Sequence, residues 1–391
     1  MNLPTLLVFC HLRWNFVYQR PQHLLTRLAS RYRVIVLEEP VHDSGPARLV
    51  SESPAPGVEV LRPHTPIGVP GFAAEQLALI GPLLQRALAE RGVAEPLVWF
   101  YTPMALPLLQ GLQPRAVVYD CMDELSAFRG APPALGRLEA ELLRRADLVL
   151  TGGPSLYEAK RGRAAKVLCV PSSVDAAHFA PPGADSTTGA DDAWATQAEH
   201  VQSAIASPRL GFFGVIDERM DLALVDQLAV HDAAWQVVMA GPVVKIDPAQ
   251  LPQRPNLHWL GQQPYALLPR LVASWQVCLL PFALNESTVF ISPTKTLEYL
   301  AAGKPVVSTA VRDVGVLYGN GVQIADDAAG FIAACSAALN ESTETRMARL
   351  ATGAALVASG SWAQTAERVA QALAGVTKDE RRSEPVVEPI A

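Results

Sequence analysis

The chain is poor in cysteine. Its 391 residues include five: Cys10, Cys121, Cys169, Cys278 and Cys335. The number is odd, the spacing is wide, and no two form a Cys-x-x-Cys pair. That pattern excludes a disulfide framework and a zinc ribbon, and it fits buried free thiols in a reducing compartment. Long apolar runs are missing too; none approaches the ~20 residues that span a bilayer. The stretch 6–10 is too short for a signal peptide and has no basic segment before it. The expected location is the cytoplasm, with the inner face of the membrane as a surface within reach. Basic excess is also absent. Lys and Arg number 32 against 38 Asp and Glu, giving a net charge of -6, which argues against a nucleic-acid partner. There is no G-x-x-x-x-G-K-[ST] loop, and no G-x-G-x-x-G follows the first apolar run. Residues 11–20 are bulky where a dinucleotide needs glycine. Glu38 and Glu39 therefore make no NAD site, although they end a strand where a ribose-binding acid would stand. No cluster has metal-ligand spacing, so neither a metal nor a cofactor is expected.

What the chain does have is rhythm. Half of it is hydrophobic and 18% is charged, enough apolar material for two or three cores. Short apolar runs at 6–10, 34–37, 58–61, 97–101, 116–119, 148–150 and 167–170 alternate with helical stretches. The rhythm breaks at 181–207, rich in Ala, Asp, Ser, Thr and Gly, and resumes with runs at 210–213, 235–240, 257–260, 277–280 and 306–307. Strands that are continuous apolar runs belong to parallel sheets covered on both faces. The expected fold is α/β, with two Rossmann-like domains facing a cleft. Residues 1–180 form the first domain, 181–207 a linker with a short helix, and 208–340 the second domain. A long helical stretch over 341–375 is expected to return toward the first domain, and 376–391 to fray. In 72–91 a helix is expected to kink or break at Gly81-Pro82. Its leucines belong either to the core or to a membrane-docking face. Charge divides unevenly. Residues 1–180 carry 18 basic and 16 acidic side chains, and 181–391 carry 14 and 22.

Ligands bind beyond the carboxyl ends of such strands, so the loops after strands hold the candidates. Ser292 reads as a helix N-cap, with Pro293 as the first helical residue. Free N–H groups at that helix start, with Lys295 in the first turn, suit a diphosphate. Glu298 lies three residues on, on the same face, where a carboxylate meets ribose hydroxyls. The alternative is a surface ion pair. In the first half, His11 and Arg13 follow the first strand and are expected to face the cleft, where His11 either contacts the acceptor or transferred sugar or hydrogen-bonds the neighbouring loop. Arg20 and His23 open a helix, and either bind an anionic acceptor or pack the helix entry. Asp120 and Asp123 follow another strand; one positions an acceptor hydroxyl, unless Asp120 caps the turn. Trp14 is a sugar platform or a loop anchor.

Residues 292–307, Ser-Pro-Thr-Lys-Thr-Leu-Glu-Tyr-Leu-Ala-Ala-Gly-Lys-Pro-Val-Val, resemble the donor-binding segment of GT-B glycosyltransferases of the family 1/family 4 group. Residues 10–25, 117–124 and 211–219 are similar to a branch found in bacterial cell-surface polysaccharide synthesis, including teichuronic-acid-type enzymes. The resemblance covers roughly residues 5–340. It implies transfer of a sugar from a UDP- or GDP-sugar to a glycan or lipid-linked acceptor, with retention and without a metal, and a possible peripheral membrane contact. Two rival readings are an epimerase of the same fold and a non-catalytic sugar-binding protein.

The resemblance makes Glu298 the ribose-binding acid and Lys295 a diphosphate contact, with Ser292 and Thr294 in the same donor-binding segment. It puts Gly214 where backbone approaches the phosphates and Arg219 where a phosphate-binding base stands. His11, Arg219, Lys295 and Asp120 are the expected catalytic group. Arg13, Trp14, Arg20, His23 and Asp123 are expected at the acceptor. Relatives often carry a second glutamate eight positions earlier, but here Phe290 stands there. Glu286 is the candidate substitute. Lys245, after another strand, is either a further cation for the donor or a solvated loop residue.

Overall fold

The computed structural model describes residues 3–180 and 201–377. Most of the expected linker at 181–207 and nearly all of the expected tail at 376–391 lie outside the described residues.

Two sheets dominate. The first holds β1 (Thr5–Cys10), β2 (Arg33–Glu38), β3 (Val41–His42), β4 (Arg48–Ala55), β5 (Val58–Thr65), β6 (Leu97–Phe100), β7 (Ala116–Cys121), β8 (Leu148–Thr151) and β9 (Val167–Cys169). Its order is β3-β5-β2-β1-β6-β7-β8-β9, with β4 paired to β5. The second holds β10 (Arg209–Phe213), β11 (Gln236–Ala240), β12 (Leu257–Gly261), β13 (Val277–Leu280), β14 (Val306–Thr309) and β15 (Gln323–Ala325), in the order β12-β11-β10-β13-β14-β15.

The continuous apolar runs have a simple cause. Side chains alternate faces along a strand, and both faces of these sheets are covered. Leu6 and Val8 of β1 enter one core, with Leu24, Leu28 and Trp362. Leu7 and Phe9 enter another, with Ile80, Leu84 and Leu88. A polar residue in such a strand needs a buried partner, as Asp120 of β7 finds in Arg20.

The exception to parallel pairing is β4, which runs antiparallel to β5. Its residues are mostly exposed, so it shows none of the apolar pattern that marks the others. Only Pro56 and Gly57 separate the two strands, and Gly57 has φ 73°. So tight a turn permits a hairpin, whereas a parallel partner needs a long crossover.

Two helical expectations change. The helix Ala74–Glu90 runs unbroken through Gly81-Pro82. It buries Ile80, Leu84 and Leu88 in the first domain's core, so those apolar residues are spent inside the protein. The stretch expected as one long helix is two, Thr343–Ala358 and Trp362–Thr377, separated by Ser359-Gly360-Ser361. Leu356 and Val357 pack on the second domain, while Trp362, Val369 and Leu373 sit in the first domain's core. The chain thus crosses back at the break. Val174 and Phe179 already pack in the second core, so the forward crossing begins before residue 181.

Both sheets reverse strand order beside their first strand, at β1 and at β10. These are the topological switch points where α/β folds bind ligands. The loops after β1 and β10 meet at the cleft between the domains.

Candidate functional site

The cleft has a volume of about 820 Å³ and is lined from both domains. Trp14–Arg20, Met122 and Asp123 come from the first. Phe213–Val215, Arg219, Gly241, Tyr265 and the segment Ile291–Lys295 with Glu298 come from the second.

On the second-domain side, backbone and cations converge. Gly214 has φ 138° and Gly241 has φ 152°. The two close on one another, because a Cβ on Gly241 would strike the Gly214 carbonyl. A Cβ on Gly214 would come within 2.7 Å of Lys295 Cε. Only glycine lets these loops and the lysine share this floor. The Lys295 ammonium lies 5.2 Å from the ring centre of Phe212 and 5.4 Å from that of Phe282. Burial pulls Lys295 below the ordinary lysine range, and the neighbouring Arg219 adds to this. Burial lifts Glu298 above the usual carboxylate range, opposed by Lys295.

Arg219 is held edge-on by Asp217: Nε lies 3.0 and 3.1 Å from its two oxygens, and Nη2 lies 2.7 Å from Oδ2. Such a fork is rigid and keeps the guanidinium aimed. Lys245 lies in the loop after β11 with φ 63°, the single non-glycine residue with positive φ among those described.

One local expectation changes. The helix starts at Lys295 rather than Pro293, because Thr296 N–H bonds the Pro293 carbonyl at 3.3 Å and makes a turn first. Ser292 is therefore not the N-cap, and its buried hydroxyl finds no partner among the described residues. Thr294 precedes the helix without a side-chain cap. At seven residues this helix carries little macrodipole, so placed cations outweigh it. Glu286 stands exposed on the loop before this segment and does not reach the cleft wall. Phe290 packs against the first domain's core.

On the first-domain side, many expected ligand groups are already engaged. Arg20 and Asp120 form a buried pair, with Nε at 3.1 and 2.9 Å from the two carboxylate oxygens. Arg20 also donates to the Val170 carbonyl at 2.7 Å. The two charges pair with each other, and Arg20 also lines the cleft. Arg13 donates to the Pro40 carbonyl at 2.8 Å and to the Glu39 carbonyl, and it pairs with Glu38 at 3.4 Å. Trp14 N–H donates to Glu38 at 2.6 Å while its ring side lines the cleft. His23 stacks on Trp362 with centroids 4.7 Å apart, and burial lowers it to about 3. His11 is lowered to about 4, by burial first and then by the charge of Lys245. Asp123 also lines the cleft. Burial raises it, and Arg219, Lys245 and Lys295 pull it back.

Several contacts across the cleft carry no local sequence signal. Gln262 donates to the Phe16 carbonyl at 2.6 Å. Tyr265 stacks on Tyr18 at 4.8 Å and on His178 at 4.4 Å. Asp313 of the second domain accepts from Ser155 N–H at 3.0 Å and from its hydroxyl, at the start of the first-domain helix Pro154–Lys160. A Cβ on Gly153 would strike Asp313, so the glycine makes room for this clamp. Among the described residues, no helix is long and apolar enough to cross a membrane.

Residues 207–341 match the family described as Glycosyl transferases group 1. A Bacillus subtilis (strain 168) protein, named as a teichuronic acid biosynthesis glycosyltransferase, is 23% identical over 280 residues, covering 67% of this chain and 68% of its own. Among solved structures, a sucrose-phosphate synthase from Thermosynechococcus elongatus superposes with a TM-score of 0.73 at 14% identity, covering 96% of this chain and 99% of its own. Anabaena HepE, in complex with UDP and glucose, superposes with a TM-score of 0.68 at 13% identity, covering 95% and 100%. Residues 207–341 thus match the group 1 glycosyl transferase family model, and the chain has the two-domain GT-B fold of these solved structures.

Proposed function

We propose that the protein transfers a glycosyl group from a UDP- or GDP-sugar to a hydroxyl of a glycan or lipid-linked acceptor, with retention, in the synthesis of a bacterial cell-surface polysaccharide. The observation that carries this reading is the convergence of Lys295, Arg219 and Glu298 on the floor formed by Gly214 and Gly241, in a cleft closed by a second domain. Backbone stripped of side chains admits a diphosphate, the cations hold it, and Glu298 meets the ribose hydroxyls. Retention is supported by the resemblance of 292–307 to the family 1/family 4 group, and the polysaccharide role by the resemblance of 10–25 to the cell-surface branch and by the name of the Bacillus relative.

In the proposed reaction the bond from the anomeric carbon to the diphosphate oxygen breaks, and its electron pair leaves with the phosphate. The acceptor oxygen bonds to the same carbon, and its proton passes to the departing phosphate oxygen. Negative charge grows on the leaving group while the sugar gains oxocarbenium character. Fixed positive groups then stabilise the transition state more than the ground state. Removing one such contact typically costs on the order of 10²–10³ in rate. Arg219 and Lys295 supply this charge, so the proposal needs no metal ion. Asp123 and Trp14 face the acceptor side. Closure excludes water, which would otherwise take the acceptor's place. The enzyme would work in the cytoplasm, at the membrane face where a lipid-linked acceptor is its substrate.

The test is incubation with a panel of UDP- and GDP-sugars, with and without lipid-linked acceptors. Transfer that depends on acceptor supports the reading. Isomerisation of a nucleotide sugar without acceptor overturns it in favour of an epimerase, and binding without turnover overturns it in favour of a sugar-binding protein.

A further inference from the structure

We propose that Phe128, on the first domain, is a positioning residue that sets the second-domain cation Arg219 toward the diphosphate, with Lys245 against the same ring, and so completes the phosphate cradle only when the domains are closed. This rests on the donor-site reading above.

Phe128 follows the short turn Leu125–Ala127, a few residues after β7 and Asp123. Its half-buried ring is not part of the cleft wall, so it acts through its neighbours. The Arg219 guanidinium carbon lies 5.3 Å from the ring centre and the Lys245 ammonium 4.7 Å. Both fall within the ~6 Å reach of a cation–π contact. Two cations from one domain therefore converge on one ring from the other.

The rest of the geometry fits this purpose. Asp217 fixes the edge of the Arg219 guanidinium, and Phe128 takes its face. Together they leave Arg219 little freedom to turn. Lys245 reaches the ring from a left-handed backbone conformation, which lysine adopts only under tertiary constraint. Among the described residues, Lys245 has no carboxylate at ion-pair distance. An aromatic face is the partner such a site needs. The ring attracts the cation and leaves its charge in place. When the domains part, the ring withdraws from both cations. The cradle is then weaker in the open state, where water would compete for the donor.

The experiment measures, by calorimetry on the full chain, the affinities of UDP and UMP and of GDP and GMP. The readout is the ratio of diphosphate to monophosphate affinity for the base that the wild type prefers. Phe128→Leu is expected to lower this ratio about tenfold. Phe128→Tyr, which keeps the aromatic face, is expected to hold it near wild type. Phe128→Met replaces the leucine variant should that one fail to fold. An unchanged ratio in the leucine variant, or an equal loss in the tyrosine variant, overturns the proposal. Lys295→Ala separates the two levels. If that variant binds both diphosphates as the wild type does, or if the wild type binds neither, the donor-site reading fails irrespective of Phe128.

Discussion

The two walls of the cleft use the same residue types in opposite ways. On the first-domain wall, Arg13 is spent on Glu38 and on backbone carbonyls, and Arg20 on Asp120. On the second-domain wall, Lys295 rests against the rings of Phe212 and Phe282, and Arg219, paired at its edge with Asp217, lies over the ring of Phe128. A buried ion pair satisfies itself and fixes a loop. A cation held by a ring stays available. The first wall is thus built to hold shape and the second to hold an anion. This also explains why the more acidic half of the chain carries the proposed anion site: placed cations matter there more than the domain total.

The comparison breaks most readily at Arg20. Arg20→Met leaves Asp120 buried without its cation, and the expected loss is about 3–5 kcal/mol of folding stability, read by denaturant titration. The double variant Arg20→Met/Asp120→Leu should recover most of it. A folded Arg20→Met protein with intact stability but lost activity would move Arg20 from scaffold to site. Lys295→Ala should do the reverse. Nucleotide diphosphate binding falls by about 2 kcal/mol, roughly 30-fold, with the melting temperature nearly unchanged. A large drop in melting temperature would make Lys295 structural.

Gly241→Ala tests the floor. A side chain there meets the Gly214 carbonyl at a φ of 152°, and strain of this kind costs roughly 1–3 kcal/mol. Stability and nucleotide affinity should fall together, because the two loops must separate. Unchanged affinity would show that the phosphates do not touch this turn.

The smallest effect concerns pH. His23 is held near 3 and His11 near 4, both well below the ordinary histidine value. The unfolded chain then takes up protons before the folded one does. Stability from these groups is complete above about pH 6.5 and is lost as pH falls toward 4. His23→Phe keeps the stack on Trp362 and removes one titrating group. Its melting temperature should fall less than wild type between pH 7 and 4.5. An identical fall would assign the acid sensitivity elsewhere.

Much of this was legible in the sequence. The central strands of both domains showed as apolar runs because they are buried on both faces. β3, β4 and β15 did not, because exposed edge strands need no apolar residues. The segment with Lys295 and Glu298 was legible because one helix brings both to a single face, and that spacing is local. The exact helix start was not, because the turn at Pro293 depends on a backbone bond that composition does not dictate.

By itself the sequence determined the features that periodicity and near-neighbour spacing dictate: two α/β domains, their strands, and a cation with a carboxylate on a single helix. Tertiary structure alone decided which charges are free. Arg20 finds Asp120 a hundred positions away, and Asp313 finds Ser155 across 158. Phe128 meets Arg219 and Lys245 only where the domains close. A side chain's type sets what it can bind, but its availability depends on burial and on partners that only the folded chain assembles.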